Sequence, residues 1–250
     1  DGVVNVEDLE WGYLDGDGDF QSEEVTALRD ESDIVITNPP FSLFREFLEW
    51  VIQGDCSFSL IGNSNAITYK EVFPLIKENK MWLGATRSGV GSMYFFIPEN
   101  AGKKTGQIVD GSGRRLQTIG NSAWFTNLDH GRRHDPLSLL TMEDNLRFSK
   151  NESIRKHGYQ KYDNYDAIEV PRVEAIPADF DGVMGVPITF LGKYNPDQFE
   201  ILGSRRWAKS EVLKEIYRGS KTFDSDLKTL IGGKETYDRI FIRHKRKHLP

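Results

Sequence analysis

The residues best suited to chemistry are Asn38-Pro39-Pro40-Phe41, which directly follow the apolar run 34–37. In open α/β sheets, ligands bind at the carboxyl ends of strands. The Asn38 amide oxygen and the Pro39 carbonyl offer two acceptors to the hydrogens of one planar amino group. Two such acceptors make the nitrogen more nucleophilic and stabilise the positive charge that develops on it. The pattern therefore predicts methyl transfer to an exocyclic amine, such as N6 of adenine.

The other residues of the loop suit the same chemistry. Pro39 and Pro40 have a fixed φ and no N–H, so the carbonyls are oriented in advance and no backbone donor competes for the amine. Phe41 offers an aromatic face on which a base can stack. A base in a duplex must leave the helix to reach such a loop, so a DNA substrate implies base flipping. The alternative is a plain Pro-Pro turn between a strand and a helix.

The elements around this loop predict the fold class. Apolar residues at helical spacing indicate a helix over 42–53 with Ser42 as its N-cap. Similar patterns indicate strands at 33–37, 58–61, 81–83, 93–98 and 122–128, and helices at 22–28 and 69–79 (the latter kinked or divided by Pro74). The Gly-, Lys- and Asn-rich stretch 99–115 is expected to be an exposed hairpin or loop. The early alternation is typical of an α/β protein with a doubly wound parallel sheet. It breaks down near residue 130, so we expect one domain over 1–129 and a mixed α+β region over 130–250.

Composition and charge limit the possible functions. The net charge is −6, yet residues 1–40 carry −11 and residues 200–250 carry +6. The basic run 243–248 can contact phosphates or form a solvated tail. No apolar run is long enough to span a membrane. The single cysteine, Cys56, excludes an internal disulfide and fits a reducing, cytoplasmic location, where it is expected as a small buried or loop residue.

An acidic turn precedes the loop. Asp15, Asp17 and Asp19 have the spacing that begins an EF-hand, but Phe20 and Thr26 stand where that motif needs Gly and Glu, so no metal site is expected. One short helix separates this turn from the 33–37 strand, which predicts that it lies at the same sheet edge. There Asp19 can accept a hydrogen bond from the amino group of a cofactor's adenine, and Phe20 can pack on its ring. The alternative is a polar surface turn with Phe20 as a core anchor.

Several longer segments carry a family resemblance. Residues 33–47, 61–63, 66–71 and 124–130, together with 164–168 and 193–196, resemble the EcoRI-type adenine-specific DNA methyltransferases. The four-residue motif alone is shared with some RNA and protein-glutamine methyltransferases. The resemblance implies a Rossmann-like sheet and methyl transfer from S-adenosyl-L-methionine to N6 of a flipped-out adenine in a specific DNA sequence.

The resemblance also assigns residues. It implies that Asn38, Pro39, Pro40 and Phe41 hold the target adenine, that Asp19 and Phe20 bind the cofactor, and that Trp124 or Phe125 stacks on the base, although either ring can simply be core. The family also has a Gly-rich turn, Phe-x-Gly-x-Gly, before the catalytic loop, and none precedes residue 38 here. We therefore expect an N-terminally truncated methyltransferase sheet.

Basic and aromatic residues after residue 130 are candidates for contacts with double-stranded DNA. They are Arg132, Arg133, Lys156, Tyr162, Arg205 and Arg206. Cations can contact phosphates, and arginines can also contact guanine. The alternative for each is a solvated surface residue or an aromatic core anchor. Two other functions stay open: an RNA or protein-glutamine methyltransferase, and an inert fragment that binds nucleic acid. The sequence leaves the oligomeric state open.

Overall fold

The structure is a computed structural model that describes residues 12–85, 94–98, 100–102, 106–118, 121–204, 210–220 and 228–245. In these residues the chain is a mixed α/β protein with two four-stranded sheets, one three-stranded sheet and one two-stranded ribbon. The helices are α1 (Glu23–Asp30), α2 (Phe44–Gln53), α3 (Phe73–Lys77), α4 (Met142–Phe148), α5 (Glu152–His157) and α6 (Glu211–Ile216).

The strands are short, and several are separated by single 3-10 turns. They are β1 (Ile34–Thr37), β2 (Ser57–Asn63), β3 (Trp82–Leu83), β4 (Tyr94–Phe96), β5 (Gln107–Val109), β6 (Arg115–Thr118), β7 (Ser122–Thr126), β8 (Ala167–Glu169), β9 (Val183–Val186), β10 (Phe199–Ser204), β11 (Leu230–Ile231), β12 (Lys234–Glu235) and β13 (Ile240–His244). The 3-10 turns are Phe41–Leu43, Ser64–Thr68, Gly131–Arg133, Val173–Ala175 and Ile188–Lys193.

The local sequence predicted the first residue of some helices correctly but not of others. The Ser22 side chain accepts a hydrogen bond from the Val25 amide and caps α1, as predicted. The prediction for Ser42 was wrong, because that residue lies inside a 3-10 turn and α2 begins two residues later at Phe44. Pro74 lies in the first turn of α3, where the missing N–H costs nothing. It therefore begins this short helix rather than kinking a longer one.

The first sheet has the strand order β1–β2–β7–β3. Strands β1 and β2 are parallel, whereas β7 is antiparallel to β2 and β3. One row across the sheet consists of Thr37, Leu60, Phe125 and Leu83. Because β3 runs in the same direction as β1 and β2, the carboxyl ends of these three strands and the amino end of β7 share one edge. This edge is called the catalytic edge below.

The second sheet, β10–β13–β9–β8, packs against the same hydrophobic core as the first. That core joins α2, β2 and β7 to β8, β9, β10 and β13, through buried residues that include Phe44, Phe125, Met184 and Ile242. The predicted division at residue 129 therefore separates two sheets that share a core, and it stays a prediction. Cys56 is buried, as expected.

The third sheet has the order β4–β6–β5. The sequence predicted the strand at β4. The stretch 99–115 was expected to be a hairpin or loop, and β5 within it pairs antiparallel with β6 as a hairpin. Among the described helices, none combines the length and the apolar character that a membrane crossing needs.

Candidate active site

The Asn38–Phe41 loop lies at the catalytic edge. It follows the last residue of β1, Thr37, which pairs with Leu60 of β2. Asn38 is exposed, Pro39 is buried, and 43 % of Phe41 is exposed. The amide and the aromatic ring can therefore be reached by a ligand, while Pro39 fixes the backbone between them.

Hydrogen bonds and packing hold this loop in place. The Leu43 amide donates to the Pro40 carbonyl at 2.9 Å, which closes the 3-10 turn that follows the loop. In the part of the chain that the structure describes, neither the Asn38 side chain nor the Pro39 carbonyl has a hydrogen-bond partner. These are the two acceptors that the sequence assigned to a substrate amine, and no described residue engages either of them.

Helix α2 anchors the loop to the sheet. Phe44, its first residue, is buried, and its ring centroid lies 5.1 Å from that of Phe125. On its other flank the helix packs against Phe20, whose ring lies 5.1 Å from that of Phe47 and 5.6 Å from that of Trp50. The acidic turn is therefore attached to the helix that begins directly after the catalytic loop.

Asp19 and Phe20, the predicted cofactor residues, differ in their surroundings. Phe20 is half-buried and serves as a core anchor, which was the alternative interpretation of that residue. Asp19 is exposed, and its Oδ1 accepts a hydrogen bond from the Gln21 amide at 3.0 Å. One carboxylate oxygen of Asp19 thus orders the turn before α1. The cofactor role of both residues stays a prediction.

The structure distinguishes Trp124 from Phe125, the two neighbouring rings on β7 between which the sequence could not choose. Phe125 is fully buried in the core against Phe44. Its neighbour Trp124 is half-buried and, by strand alternation, points to the opposite face of the sheet. Trp124 pairs with Ile61 at the carboxyl end of β2, two strands from β1, so its backbone is about 10 Å from that of β1. Trp124 is therefore the ring that can face a ligand.

A second polar turn lies at the same edge. Asn63 ends β2, and its side chain accepts a hydrogen bond from the Asn65 amide at 2.9 Å. The Ser64 amide donates to the Asn121 carbonyl at 2.7 Å. Sequence reasoning did not assign a site role to these residues, although their position after a strand was a usable signal.

The candidate DNA contacts separate into exposed and buried residues. Arg132 is exposed and donates from Nη1 to the Ala85 carbonyl at 2.8 Å, just beyond β3 at the catalytic edge. Lys156 is exposed on α5 and forms an ion pair of 2.6 Å with Glu152. Both can contact DNA. Arg205 and Arg206 lie outside the described residues.

Arg133 does not fit its predicted DNA-contact role. Its side chain is buried, and the guanidinium carbon lies 3.6 Å from the centroid of the Trp82 ring. Nη1 forms an ion pair of 3.2 Å with Asp129, and Nη2 donates to Asn79. Arg133 therefore joins the start of β3 to the turn after β7 and is a structural residue.

Tyr162 does not fit that role either. Only 5 % of it is exposed, and its hydroxyl donates to the Glu169 carboxylate. Glu169 also accepts from Arg239 Nε at 2.9 Å. Burial and the neighbouring carboxylate raise the pKa of Tyr162 far above its usual value. This tyrosine is a core anchor, because its hydroxyl is committed to a buried ion pair.

His134 connects the turn after β7 to the region before β10. Its Nδ1 lies 2.6 Å from Asp197 Oδ2, and its Nε2 lies 3.0 Å from Asp129 Oδ1. Hydrogen bonds to these two carboxylates raise the pKa of the imidazole, and the bond to His134 lowers the pKa of Asp129. No group of three or more His, Cys, Asp or Glu side chains in the described residues is placed to hold a metal ion.

Comparison with known proteins identifies the family. The model of the family described as adenine-specific methyltransferase EcoRI matches residues 1–245. The chain belongs to this family. The type II methyltransferase M.EcoRI of Escherichia coli is 45% identical over 241 residues, which cover 96% of this chain and 66% of that protein. The family resemblance stated from the sequence is thereby confirmed.

Two further relatives come from mycoplasmas. M.MgeORF184P of Mycoplasma genitalium is 36% identical over 93% of this chain and 71% of its own length. M.MpnI of Mycoplasma pneumoniae is 36% identical over 93% of this chain and 70% of its own length. Each is named a type II methyltransferase, and the chain spans about two thirds of each relative. No solved structure matches the chain.

Proposed function

We propose that this chain methylates DNA, transferring the methyl group of S-adenosyl-L-methionine to N6 of an adenine flipped out of double-stranded DNA. The Asn38–Phe41 loop carries this proposal. It offers an exposed amide, a Pro39 carbonyl that no described residue engages, and an accessible ring at the carboxyl end of β1. Membership of an adenine-specific methyltransferase family and relatives named type II methyltransferases support the same chemistry.

The residues of the loop have distinct tasks in this mechanism. The Asn38 Oδ1 and the Pro39 carbonyl each accept one hydrogen of the adenine amino group, which directs the nitrogen lone pair away from the loop. The same two acceptors stabilise the positive charge that forms on the nitrogen as the new bond develops. The Phe41 ring stacks on one face of the flipped base, and the Trp124 ring packs against the base from the other side.

The residues of the acidic turn suit a nucleoside cofactor. Asp19 is exposed, and the described residues engage only its Oδ1, so its Oδ2 can accept from an adenine amino group. Phe20 supplies an apolar surface beside it that α2 holds in place. When bound, S-adenosyl-L-methionine supplies the electrophilic methyl group. The protein's task is to orient the amine toward it and to exclude water.

We also propose that the first sheet is doubly wound and Rossmann-like. The crossovers β1–α2–β2 and β2–α3–β3 connect strands that run in the same direction, and the described residues directly after each of the three strands lie at the catalytic edge. This arrangement places ligand-binding loops together at one edge. Residues 130–250 then form the region that recognises the DNA sequence.

The direct test is Asn38→Ala with labelled S-adenosyl-L-methionine and unmethylated DNA, followed by digestion to nucleosides. The native chain should yield N6-methyladenine, and the variant should be about 100- to 1,000-fold slower because it lacks one acceptor for the developing charge. Its affinity for DNA should not change. Gln53→Ala, an exposed amide at the end of α2, is the matched control and should keep full activity.

The alternatives have distinct outcomes in this assay. Label found only in RNA or in protein would identify the alternative methyltransferase. DNA binding without transfer, for the native chain as well, would identify an inert fragment. An Asn38→Ala variant with native activity would overturn the catalytic assignment while leaving methylation itself intact.

A further inference from the structure

Among the described residues, the cation nearest in sequence to the catalytic loop has no acidic partner. Residues 1–69 contain 15 Asp or Glu but only two Lys or Arg, which are Arg29 and Arg45. Arg29 is buried and already forms an ion pair of 2.6 Å. The next cation along the chain, Lys70, is paired with Glu71 at 3.7 Å. Arg45 is therefore the cation of this acidic region that is left to receive an anion.

The position of Arg45 in the fold places it beside the proposed adenine site. It is the second residue of α2 and lies four residues beyond Phe41, which is about 6 Å along a helix axis. Side chains of a helix tilt toward its amino end, so the Arg45 side chain leans toward the catalytic loop. Its guanidinium carbon lies 5.8 Å from the centroid of the Tyr69 ring, directly after the 3-10 turn that follows β2. Arg45 thus connects α2 to the chain segment after β2.

The Arg45 side chain is oriented, but its hydrogen-bond donors are not used. It is exposed, and no described residue forms an ion pair or a hydrogen bond with its guanidinium. In this part of the structure it is not paired even with Glu49, which has the usual spacing of a salt bridge on α2. A cation over an aromatic face gains a preferred position without using its N–H donors. Those donors match two oxygens of a phosphate.

The proposed cofactor residues lie on a different flank of α2. Phe20 packs against Phe47 and Trp50, with ring centroids 5.1 Å and 5.6 Å away. Arg45 and Phe47 are two positions apart, so their side chains leave the helix on nearly opposite flanks. Arg45 therefore faces away from Asp19 and Phe20, which favours the DNA substrate over the cofactor as the source of its anion.

We propose that Arg45 binds a backbone phosphate next to the flipped adenine and so holds the target nucleotide in place. The inference rests on the proposed function. An adenine held by Asn38 and Phe41 brings its own phosphates to the rim of the loop, because only one sugar separates a base from its phosphates. These phosphates meet an acidic part of the chain, where Arg45 can neutralise one of them. A phosphate contact fixes position and carries no sequence information, so Arg45 is a positioning residue.

Removal of the charge at Arg45 provides the first test. The site methylated by the native chain is found by sequencing methylated DNA, and a short duplex containing it is the probe. Arg45→Gln should raise the Kd for this duplex about tenfold and reduce the slope of log Kd against log salt by about one. Arg45→Lys keeps the charge and should restore the slope. Arg147→Gln is the matched control on α4, because Arg147 is 65% exposed and paired with Glu143, and it should leave the Kd within about twofold.

Methylphosphonate substitution identifies the phosphate that Arg45 contacts. It neutralises one phosphate of the target strand at a time. With the native chain, substitution at the contacted phosphate beside the target adenine should raise the Kd about tenfold. With Arg45→Gln the same substitution should have little further effect, because both changes remove one interaction. Arg147→Gln should keep the full native response.

The outcomes separate this inference from the proposed function. Since Arg45 is exposed, circular dichroism of its variants should match that of the native chain. Additive losses at both phosphates that flank the target adenine would overturn the inference and spare the proposed function, as would an Arg45→Gln variant with the native Kd. A raised KM for S-adenosyl-L-methionine with unchanged DNA binding would also overturn it and would assign Arg45 to the carboxylate of the cofactor. A native chain that neither binds nor methylates DNA would overturn both proposals.

Discussion

The ring of Phe44 occupies the space in which a side chain at position 62 would stand. A Cβ on Gly62 would lie 2.8 Å from Phe44 Cδ2, closer than real Cβ contacts allow. Phe44 begins α2 directly after the catalytic loop, and Gly62 lies near the end of β2. The missing side chain of Gly62 therefore sets how closely the helix, and with it the loop, approaches the sheet.

Gly62→Ala should damage both stability and catalysis. The added methyl group displaces a buried ring that also packs on Phe125, which should lower the free energy of unfolding by about 1–3 kcal/mol. The displacement moves the loop that precedes Phe44, so kcat for methylation should fall by up to about a hundredfold. Urea unfolding and steady-state kinetics measure the two effects.

Gly131→Ala is the control for this prediction. A Cβ at position 131 would meet no atom within 4 Å, so its effect on stability should stay within about 0.5 kcal/mol. Equal loss of stability in both variants would show that the close approach of Phe44 to Gly62 has no special role.

Phe41→Ala should slow methylation without loss of stability. Phe41 and Leu43 lie in the same 3-10 turn and are each 43% exposed, so truncation of either leaves no buried cavity. Only Phe41 is proposed to stack on the flipped adenine. Its loss should cost about 1–3 kcal/mol of transition-state stabilisation, measured from kcat/KM.

Leu43→Ala serves as the matched comparison and should keep kcat/KM within about twofold. If the two variants lose the same activity, the effect belongs to the turn as a whole. Stacking by the Phe41 ring would then be excluded as the explanation.

Features that depend on neighbouring residues could be predicted from the sequence. The β1 strand, the loop after it and the Ser22 cap each depend on a short window of sequence, and each was predicted. The start of α2 was missed because Phe44 docks against Gly62 and Phe125, which no local pattern reveals. The sequence could not decide between a hairpin and a loop over 99–115, because Gly- and Lys-rich segments are typical of both, and the pairing of β5 with β6 decides for the hairpin.

Two of the candidate DNA contacts are buried by partners that the local sequence does not reveal. Tyr162 and Arg133 were predicted as DNA contacts from their types alone, with a core anchor as the alternative for the aromatic residue, and both side chains are buried. Glu169 and Arg239 are 70 residues apart, yet their ion pair fixes the Tyr162 hydroxyl. Arg133 is buried against Trp82, which lies on a different strand. A basic or aromatic residue cannot be assigned to the surface until such partners are known.

Arg239→Leu should therefore destabilise the fold strongly. The Arg239 and Glu169 side chains are 10% and 13% exposed, so removal of the arginine leaves a nearly buried carboxylate without its charge partner. The cost should be about 3–5 kcal/mol in the free energy of unfolding, measured with urea.

Arg243→Leu is the control from the adjoining strand β13. Its ion pair with Glu200 is about half exposed, and such pairs contribute at most about 1 kcal/mol. Similar losses in the two variants would contradict a special role for the buried pair. A stable Arg239→Leu protein would show that the buried ion pair contributes little to the free energy of unfolding.

The His134 bridge should make stability depend on pH. Asp197 and Asp129 raise the pKa of His134 in the folded protein above its unfolded value near 6.5. The folded state therefore binds the proton more tightly, so the stabilisation is fully present below the unfolded pKa and is lost as pH rises through the folded pKa. The free energy of unfolding should therefore fall as the pH rises from the unfolded pKa through the raised pKa of folded His134. Urea unfolding at a series of pH values measures this change.

Two histidine variants separate this effect from other titrations. His134→Gln should flatten the plot of unfolding free energy against pH, whereas His157→Gln, which changes an exposed histidine at the end of α5, should leave the plot unchanged. A native curve that is flat between about pH 6 and pH 8 would show that the bridge to the two carboxylates does not stabilise the fold.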